Sequence, residues 1–178
     1  MTSNVDSTWL DAPASLWVVR FAGLIASGGR VLDVACGGGR HTRLFAARGH
    51  KVDAVDLDVG GLTNIPPSVR VLQADLEEGP WPYEGTRFAG VVVTNYLHRP
   101  LLPTLIDSVA QGGVFIYETF SAGNERYGRP SRPDFLLQRG ELLDTVRGQF
   151  DVIAYEDVLV DVPRPAMVQR IAAVRPTP

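Results

Sequence analysis

Val31-Leu32-Asp33-Val34-Ala35-Cys36-Gly37-Gly38-Gly39-Arg40 is the stretch on which the reading of this chain turns. A short apolar run ends in three glycines, and Arg40 to Arg48 then reads as a helix with Leu44 and Phe45 on one side and Gly49 as its stop. Glycines permit positive φ and let backbone approach a ligand closely, and a helix start adds unpaired N–H groups. A dinucleotide cradle wants a third glycine three residues after the second. Thr42 stands there instead, which counts against a nicotinamide-dependent oxidoreductase. No Gly-Lys-Ser/Thr follows, so the loop is not a P-loop.

Working outward, further apolar runs read as strands: Val52–Val55, Val69–Leu72, Phe88–Val93 and Val114–Tyr117. They lack strict alternation, which suits parallel strands covered on both faces. Residues 12–26 predict a helix through Leu16, Val19, Phe21 and Ile25, and Leu101–Ala110 a second one ending at Gly112. Residues 121–133 hold Gly, Pro, Asn and Arg with little apolar content and read as a long loop. Gly140–Gly148 reads as a helix. Phe150–Val160 and Val168–Val174, flanking Asp161 to Pro165, read as an antiparallel hairpin. The sum is an open α/β sheet, doubly wound, with one antiparallel strand. Such sheets bind ligands beyond the carboxyl ends of their strands.

Three acids close three successive strands: Asp33, Asp56 and Asp75. A carboxylate can accept hydrogen bonds from an amino group, from both hydroxyls of a ribose, or from an exocyclic adenine amine. That order suits a ligand with those three parts and no phosphate. A lone Asp at a strand end also serves as a cap, and Asp58 reads that way.

The chain resembles the class I S-adenosylmethionine-dependent methyltransferases, of the small bacterial kind grouped with tellurite-resistance-type enzymes. The resemblance covers roughly residues 16–175 and is strongest over Val31–Asp58. Asp33, Gly37 and Gly39 match the family's Asp-x-Gly-x-Gly-x-Gly loop, while Ala35 replaces its first glycine. The resemblance implies a Rossmann-like, mostly parallel seven-stranded sheet, with S-adenosyl-L-methionine as cofactor. It assigns Asp56 to the ribose, Leu57 to the adenine face, and Asp75 with the backbone of Leu76 to the adenine edge. It turns the segment from Thr94 through Asn95, Tyr96, Leu97 and His98 to Arg99 toward the sulfonium and the acceptor.

A base is needed only where the acceptor must lose a proton. Candidates are Tyr96, His98 and Glu118, with Thr119 beside the last. His98 serves as base or as a brace ahead of Pro100, Tyr96 shapes a channel or packs, and Glu118 is a base or a structural acceptor. The sequence has no Asn-Pro-Pro-Tyr or Asp-Pro-Pro-Tyr after its fourth strand, the motif of relatives that methylate exocyclic base amines. Arg126, Tyr127, Arg129 and Arg132 lie in the loop at 121–138, either as a lid that holds an anion or as a solvated connector.

The chain has 178 residues, 45% hydrophobic and 21% charged, with a net charge of −3, which fits one globular domain. No basic field favours nucleic acid. The single cysteine, Cys36, excludes an intrachain disulfide or a Cys-only zinc site. No apolar run approaches the ~20 residues of a membrane span, and residues 1–9 lack the marks of a signal peptide. The expectation is a cytoplasmic methyltransferase acting on a small molecule. The alternatives are a nonenzymatic cofactor-binding regulator and an RNA methyltransferase.

Overall fold

Runs of β-branched residues form the strands of one sheet in the computed structural model, which describes residues 12–178. The elements are α1 (Leu16–Phe21), β1 (Arg30–Val34), α2 (Arg40–Ala47), β2 (Lys51–Asp56), β3 (Val69–Gln73), β4 (Phe88–Thr94), α3 (Leu102–Asp107), β5 (Val109–Phe120), α4 (Glu141–Val146), β6 (Asp151–Val160) and β7 (Ala166–Val174). The sheet order is β3-β2-β1-β4-β5-β7-β6. All pairs from β3 to β5 are parallel, and β7 runs antiparallel to both β5 and β6. This is the expected architecture. The carboxyl ends of five parallel strands share one edge, and the turn between β6 and β7 opens on that same edge.

Alternate residues of the central strands feed two cores, as the pleat requires. Val31, Val52, Val92 and Ile116 face Trp17, Val18, Phe21 and Phe45. Leu32, Val34, Val93 and Phe115 face Leu102, Leu105, Leu142 and Val146. The indole N–H of Trp17 donates to the Ile171 carbonyl at 3.2 Å, which locks α1 to β7.

Several boundaries differ from the sequence expectation. The first helix is shorter, capped by the Ser15 hydroxyl and followed by a 3-10 turn at Ala22–Leu24. Its buried face is Trp17, Val18 and Phe21, while Leu16 is 78% exposed and Val19 37%. Tryptophan supplies the larger apolar area, and the helix turns toward it. The helix expected over 101–110 ends at Asp107, because Val109 already pairs with Phe88 as strand. β5 is therefore longer than the apolar run at 114–117. The last helix is Glu141–Val146, and the loop at 121–133 contains the 3-10 turn Asn124–Arg126. The reading of residues 1–9 lies outside the described residues. Among the described residues no helix is long and apolar enough to cross a membrane.

At the opposite edge, Arg30 donates Nε to Asp53 Oδ2 at 2.6 Å and Nη2 to Oδ1 at 2.8 Å, joining β1 to β2. The Asp53 carboxylate is buried, whereas the Arg30 side chain is 41% exposed and lies over Phe88. The two partners should not be equivalent. Arg30→Ala strands a buried charge and should lower stability by about 3 kcal/mol. Asp53→Ala lets Arg30 turn to water and should cost less. Urea titrations of both variants check this, and equal losses would refute the asymmetry.

Candidate active site

β1 reaches the sheet edge at Val34, and the chain turns through Ala35, Gly37 and Gly39 at φ 51°, 52° and 78°. Ala35 occupies the left-handed region, a conformation costing a β-carbon roughly 1–2 kcal/mol. The glycines differ in purpose. A Cβ built on Gly37 meets no atom of the described residues within 4 Å, so the backbone there faces open space. A Cβ on Gly39 would run into the Leu62 side chain. Cys36, between Ala35 and Gly37, is buried, and burial pushes its thiol up, leaving it protonated and unreactive.

The Gly37 N–H donates to Asp56 Oδ2 at 2.8 Å, and the Asp58 N–H to Oδ1 at 3.1 Å. A carboxylate offers about four lone-pair sites, so both oxygens keep capacity for a ligand. Leu57 follows, 63% exposed. Asp58 accepts the Gly60 N–H at 2.9 Å and is a local cap. Asp75 Oδ1 accepts the N–H groups of Glu77 and Glu78 at 2.9 and 3.0 Å. The backbone donors at Glu78 and Glu77 hold its carboxyl below the usual range. Leu76 beside it packs against the core. Asp33 sits beneath the loop, 1% exposed, and accepts the Thr42 hydroxyl at 2.6 Å. Burial pushes its carboxyl up to about 6. Thr42, in the place of a third glycine, thus ties β1 to α2.

Beyond β4, Asn95 lies exposed at φ 55° and donates its N–H to the Glu118 carbonyl at 2.9 Å. The Tyr96 carbonyl accepts the Tyr117 hydroxyl at 2.7 Å, while the Tyr96 hydroxyl is buried with no hydrogen-bond partner among the described residues. Burial, then the charges of Glu77 and Asp75, push that phenol up, so it stays protonated. His98 Nδ1 lies 3.9 Å from Glu77 Oε2. Tyr96 and His98 therefore gather beside the acids that follow β3. Glu118 stands in a different network. Its Oε1 accepts the Ser15 hydroxyl at 2.7 Å and its Oε2 the Arg170 Nη1 at 3.1 Å. Arg170 also pairs with Glu156 at 2.6 Å. Thr119 is buried.

Sequence reasoning missed two residues at the start of α2. His41 is 2% exposed; its Nε2 accepts the Ser15 N–H at 3.0 Å and its Nδ1 lies 3.4 Å from Thr94 Oγ1. Since Nε2 accepts, the ring proton is assigned to Nδ1. Burial lowers its pKa to about 3, so the ring is a neutral brace between the chain before α1, α2 and β4. The available signal was its spacing of four from Phe45, which places both on the buried helix face. Arg40 is half-buried beside it and donates Nη1 to the Pro13 carbonyl at 3.2 Å.

The loop after β5 is anchored at both ends. Buried Asn124 accepts the Met167 N–H at 3.1 Å and donates to the Pro130 carbonyl at 2.9 Å. At the far end, Arg99 donates Nε to Glu141 at 2.7 Å, Nη1 to the Asp134 carbonyl at 2.9 Å and Nη2 to that of Leu136 at 2.8 Å. Arg126, Tyr127 and Arg129 are exposed between these anchors, and Arg132 pairs with Asp134 at 3.0 Å.

Residues 31–112 match the family described as "Methyltransferase domain". No curated protein matches the sequence. Among solved structures, TehB from Haemophilus influenzae superposes with a TM-score of 0.72 at 16% identity, covering 95% of this chain and 65% of that one. This chain thus spans just under two thirds of that protein. A TehB-like S-adenosylmethionine-dependent methyltransferase from Corynebacterium glutamicum gives 0.66 at 17% identity, covering 95% and 92%. The 1,6-didemethyltoxoflavin-N1-methyltransferase of Burkholderia thailandensis, solved with 1,6-didemethyltoxoflavin and S-adenosylhomocysteine, gives 0.69 at 20% identity, covering 95% and 81%. The fold is that of the S-adenosylmethionine-dependent methyltransferases, as expected.

The two buried groups beside the loop set opposite pH dependences. His41, with its pKa lowered to about 3, contributes stability that is complete above the unfolded value of ~6.5 and is lost as pH falls below it. Asp33, raised to about 6, contributes stability that is complete below the unfolded value of ~3.9 and is lost as pH rises through 6. Relative to the native chain, His41→Gln should gain stability between pH 7.5 and 4.5, and Asp33→Asn should lose it. Denaturant titrations at the two pH values check this, and shifts of the same sign would refute it.

Proposed function

We propose, on the premise that residues 31–112 form an S-adenosylmethionine-dependent methyltransferase domain, that this chain transfers a methyl group to a small, anionic acceptor. The observation that carries the reading is the open, left-handed backbone at Gly37, hydrogen-bonded to a strand-end carboxylate, Asp56, that keeps acceptor capacity for ribose hydroxyls. Exposed Leu57 is suited to the adenine face, and Asp75 and Leu76 to its edge. When bound, the cofactor supplies a sulfonium methyl for in-line transfer, and much of the acceleration in such a reaction comes from orientation. Asn95 and Tyr96 line the path, with the protonated Tyr96 hydroxyl as an orienting donor. His98 takes a proton from acceptors that carry one. Glu118, held by Arg170 and Ser15, braces the site. Arg126 and Arg129, with Tyr127 between them, hold the acceptor's negative charge from the anchored loop. The toxoflavin-precursor enzyme, solved with its small acceptor on the same fold, supports a small molecule over a polymer.

Calorimetry with S-adenosylhomocysteine tests the cofactor side. Asp56→Ala should weaken binding by ~1–3 kcal/mol with the fold intact, and Gly37→Val should weaken it more. Unchanged affinity in both would remove the assignment. For the acceptor side, labelled cofactor and metabolite pools identify a substrate, and turnover separates an enzyme from a silent binding protein. His98→Ala should then reduce kcat ~10²–10⁴-fold at unchanged cofactor affinity. The Arg126→Ala/Arg129→Ala double variant should raise the acceptor KM and weaken its salt dependence. Equal turnover in that variant would make the loop a connector only.

A further inference from the structure

The two edges of the sheet are protected differently. β3 follows Pro66 and Pro67, spans five residues, and sets exposed Arg70 between two valines. Proline and charge on an edge keep further strands from pairing there. β6, at the other edge, is twice as long. It holds no basic residue and no proline, and its Val152, Ile153 and Leu159 are 42%, 50% and 47% exposed. Its two central acids are engaged within the chain. Glu156 accepts Arg170 Nη2 at 2.6 Å, and Asp157 accepts Ser121 Oγ at 3.2 Å and Gln169 Nε2 at 3.3 Å. Against β7 the ladder is continuous from Ala154 to Val160, with one irregularity beside Ile153. Among the described residues no strand lies on the outer side of β6.

The order of residues along this edge says what fits it. Residues 152–160 read Val-Ile-Ala-Tyr-Glu-Asp-Val-Leu-Val, a pattern of the same kind from either end. Suppose the strand pairs antiparallel with its own copy about a two-fold axis at Glu156. Val152 then lies opposite Val160 of the other copy, Ile153 opposite Leu159, Ala154 opposite Val158, and Tyr155 opposite Asp157. Apolar meets apolar and polar meets polar, and such cross-strand pairs are what stabilise a sheet. Like charges meet only at the axis, where each Glu156 is already paired with Arg170 through Nε at 2.8 Å and Nη2 at 2.6 Å. Moving the axis by one residue sets Ile153 against Asp157 or Val158 against Glu156, so the pattern selects one register.

We propose that β6 pairs antiparallel with β6 of a second copy of this chain, with the two-fold axis at Glu156, so that the two sheets become one. The partner is the chain itself because an isologous contact uses each half of the strand twice, and the symmetric pattern meets that demand. β6 runs parallel to β5, since both are antiparallel to β7. The carboxyl edges of the two copies therefore point in opposite directions, and the two candidate active sites stay separate. This pairing is independent of the reaction that the chain performs.

Sedimentation equilibrium of the full chain tests it. The native chain should have a mass near twice 19.4 kDa. Ile153→Lys/Leu159→Lys should have the monomer mass, because each lysine then faces another. Ile153→Lys/Leu159→Glu should regain the dimer, since each lysine then faces a glutamate of the other copy. Glu156→Cys should form a disulfide-linked dimer on mild oxidation, while the native chain, with only buried Cys36, should not. A monomeric native chain overturns the proposal. So does a dimer that persists in the double-lysine variant, a lysine–glutamate variant that stays monomeric, or a Glu156→Cys chain that stays unlinked. Circular dichroism shows whether the lysine variants fold; where they do not, the native mass and the Glu156→Cys cross-link decide.

Discussion

The hydrogen bond from the Gly37 N–H to Asp56 is the contact around which the site is arranged. It joins the loop after β1 to the end of β2, at the centre of the parallel sheet. It fixes the loop only because the backbone can take positive φ at Ala35, Gly37 and Gly39. Beneath it, Asp33 and Thr42 hold the first turn of α2, so the loop is supported from below while its upper side stays open. A binding surface made this way needs little rearrangement to accept a ligand. That is where preorganisation contributes most to affinity.

The acids of the site show how neighbours assign roles to like residues. Asp33, Asp56 and Asp75 all follow strands, and all three are carboxylates. Asp33 is buried and bonded to a hydroxyl, and its pKa is raised. Asp75 accepts two backbone N–H groups, and its pKa is lowered. Asp56 keeps one backbone donor on each oxygen. The same logic separates Glu118 from His98. The glutamate is committed to Arg170 and Ser15, whereas the imidazole stands beside Glu77 at a distance that leaves it adaptable.

Much of this was legible in the residues. The apolar runs marked β1 to β4 within a residue or so, and the glycine loop and the three acids marked the carboxyl edge of the strands on which they gather. What escaped had physical causes. The buried face of α1 was misread because periodicity counted Leu16 and Val19, whereas packing selected Trp17 and Val18. The early start of β5 was hidden because Val109 and Ala110 look helical in isolation, and only the pairing with Phe88 makes them strand. His41 and Arg40 were overlooked because their significance lies in partners far along the chain. Ser15 and Pro13 precede them by 26 and 27 residues, and no local pattern records such meetings.

The anchoring of the loop after β5 has a consequence for how chains of this kind diversify. Asn124 secures one end to β7, and Arg99 secures the other through Asp134, Leu136 and Glu141. None of those anchors uses the side chains at 125–133. That stretch is a graft site: its composition can change while both stems remain docked, because surface segments with fixed ends add little closure entropy when altered. Under the proposed function, new acceptor preferences can arise from exchanges confined to this one stretch, with the sheet and the glycine loop inherited unchanged.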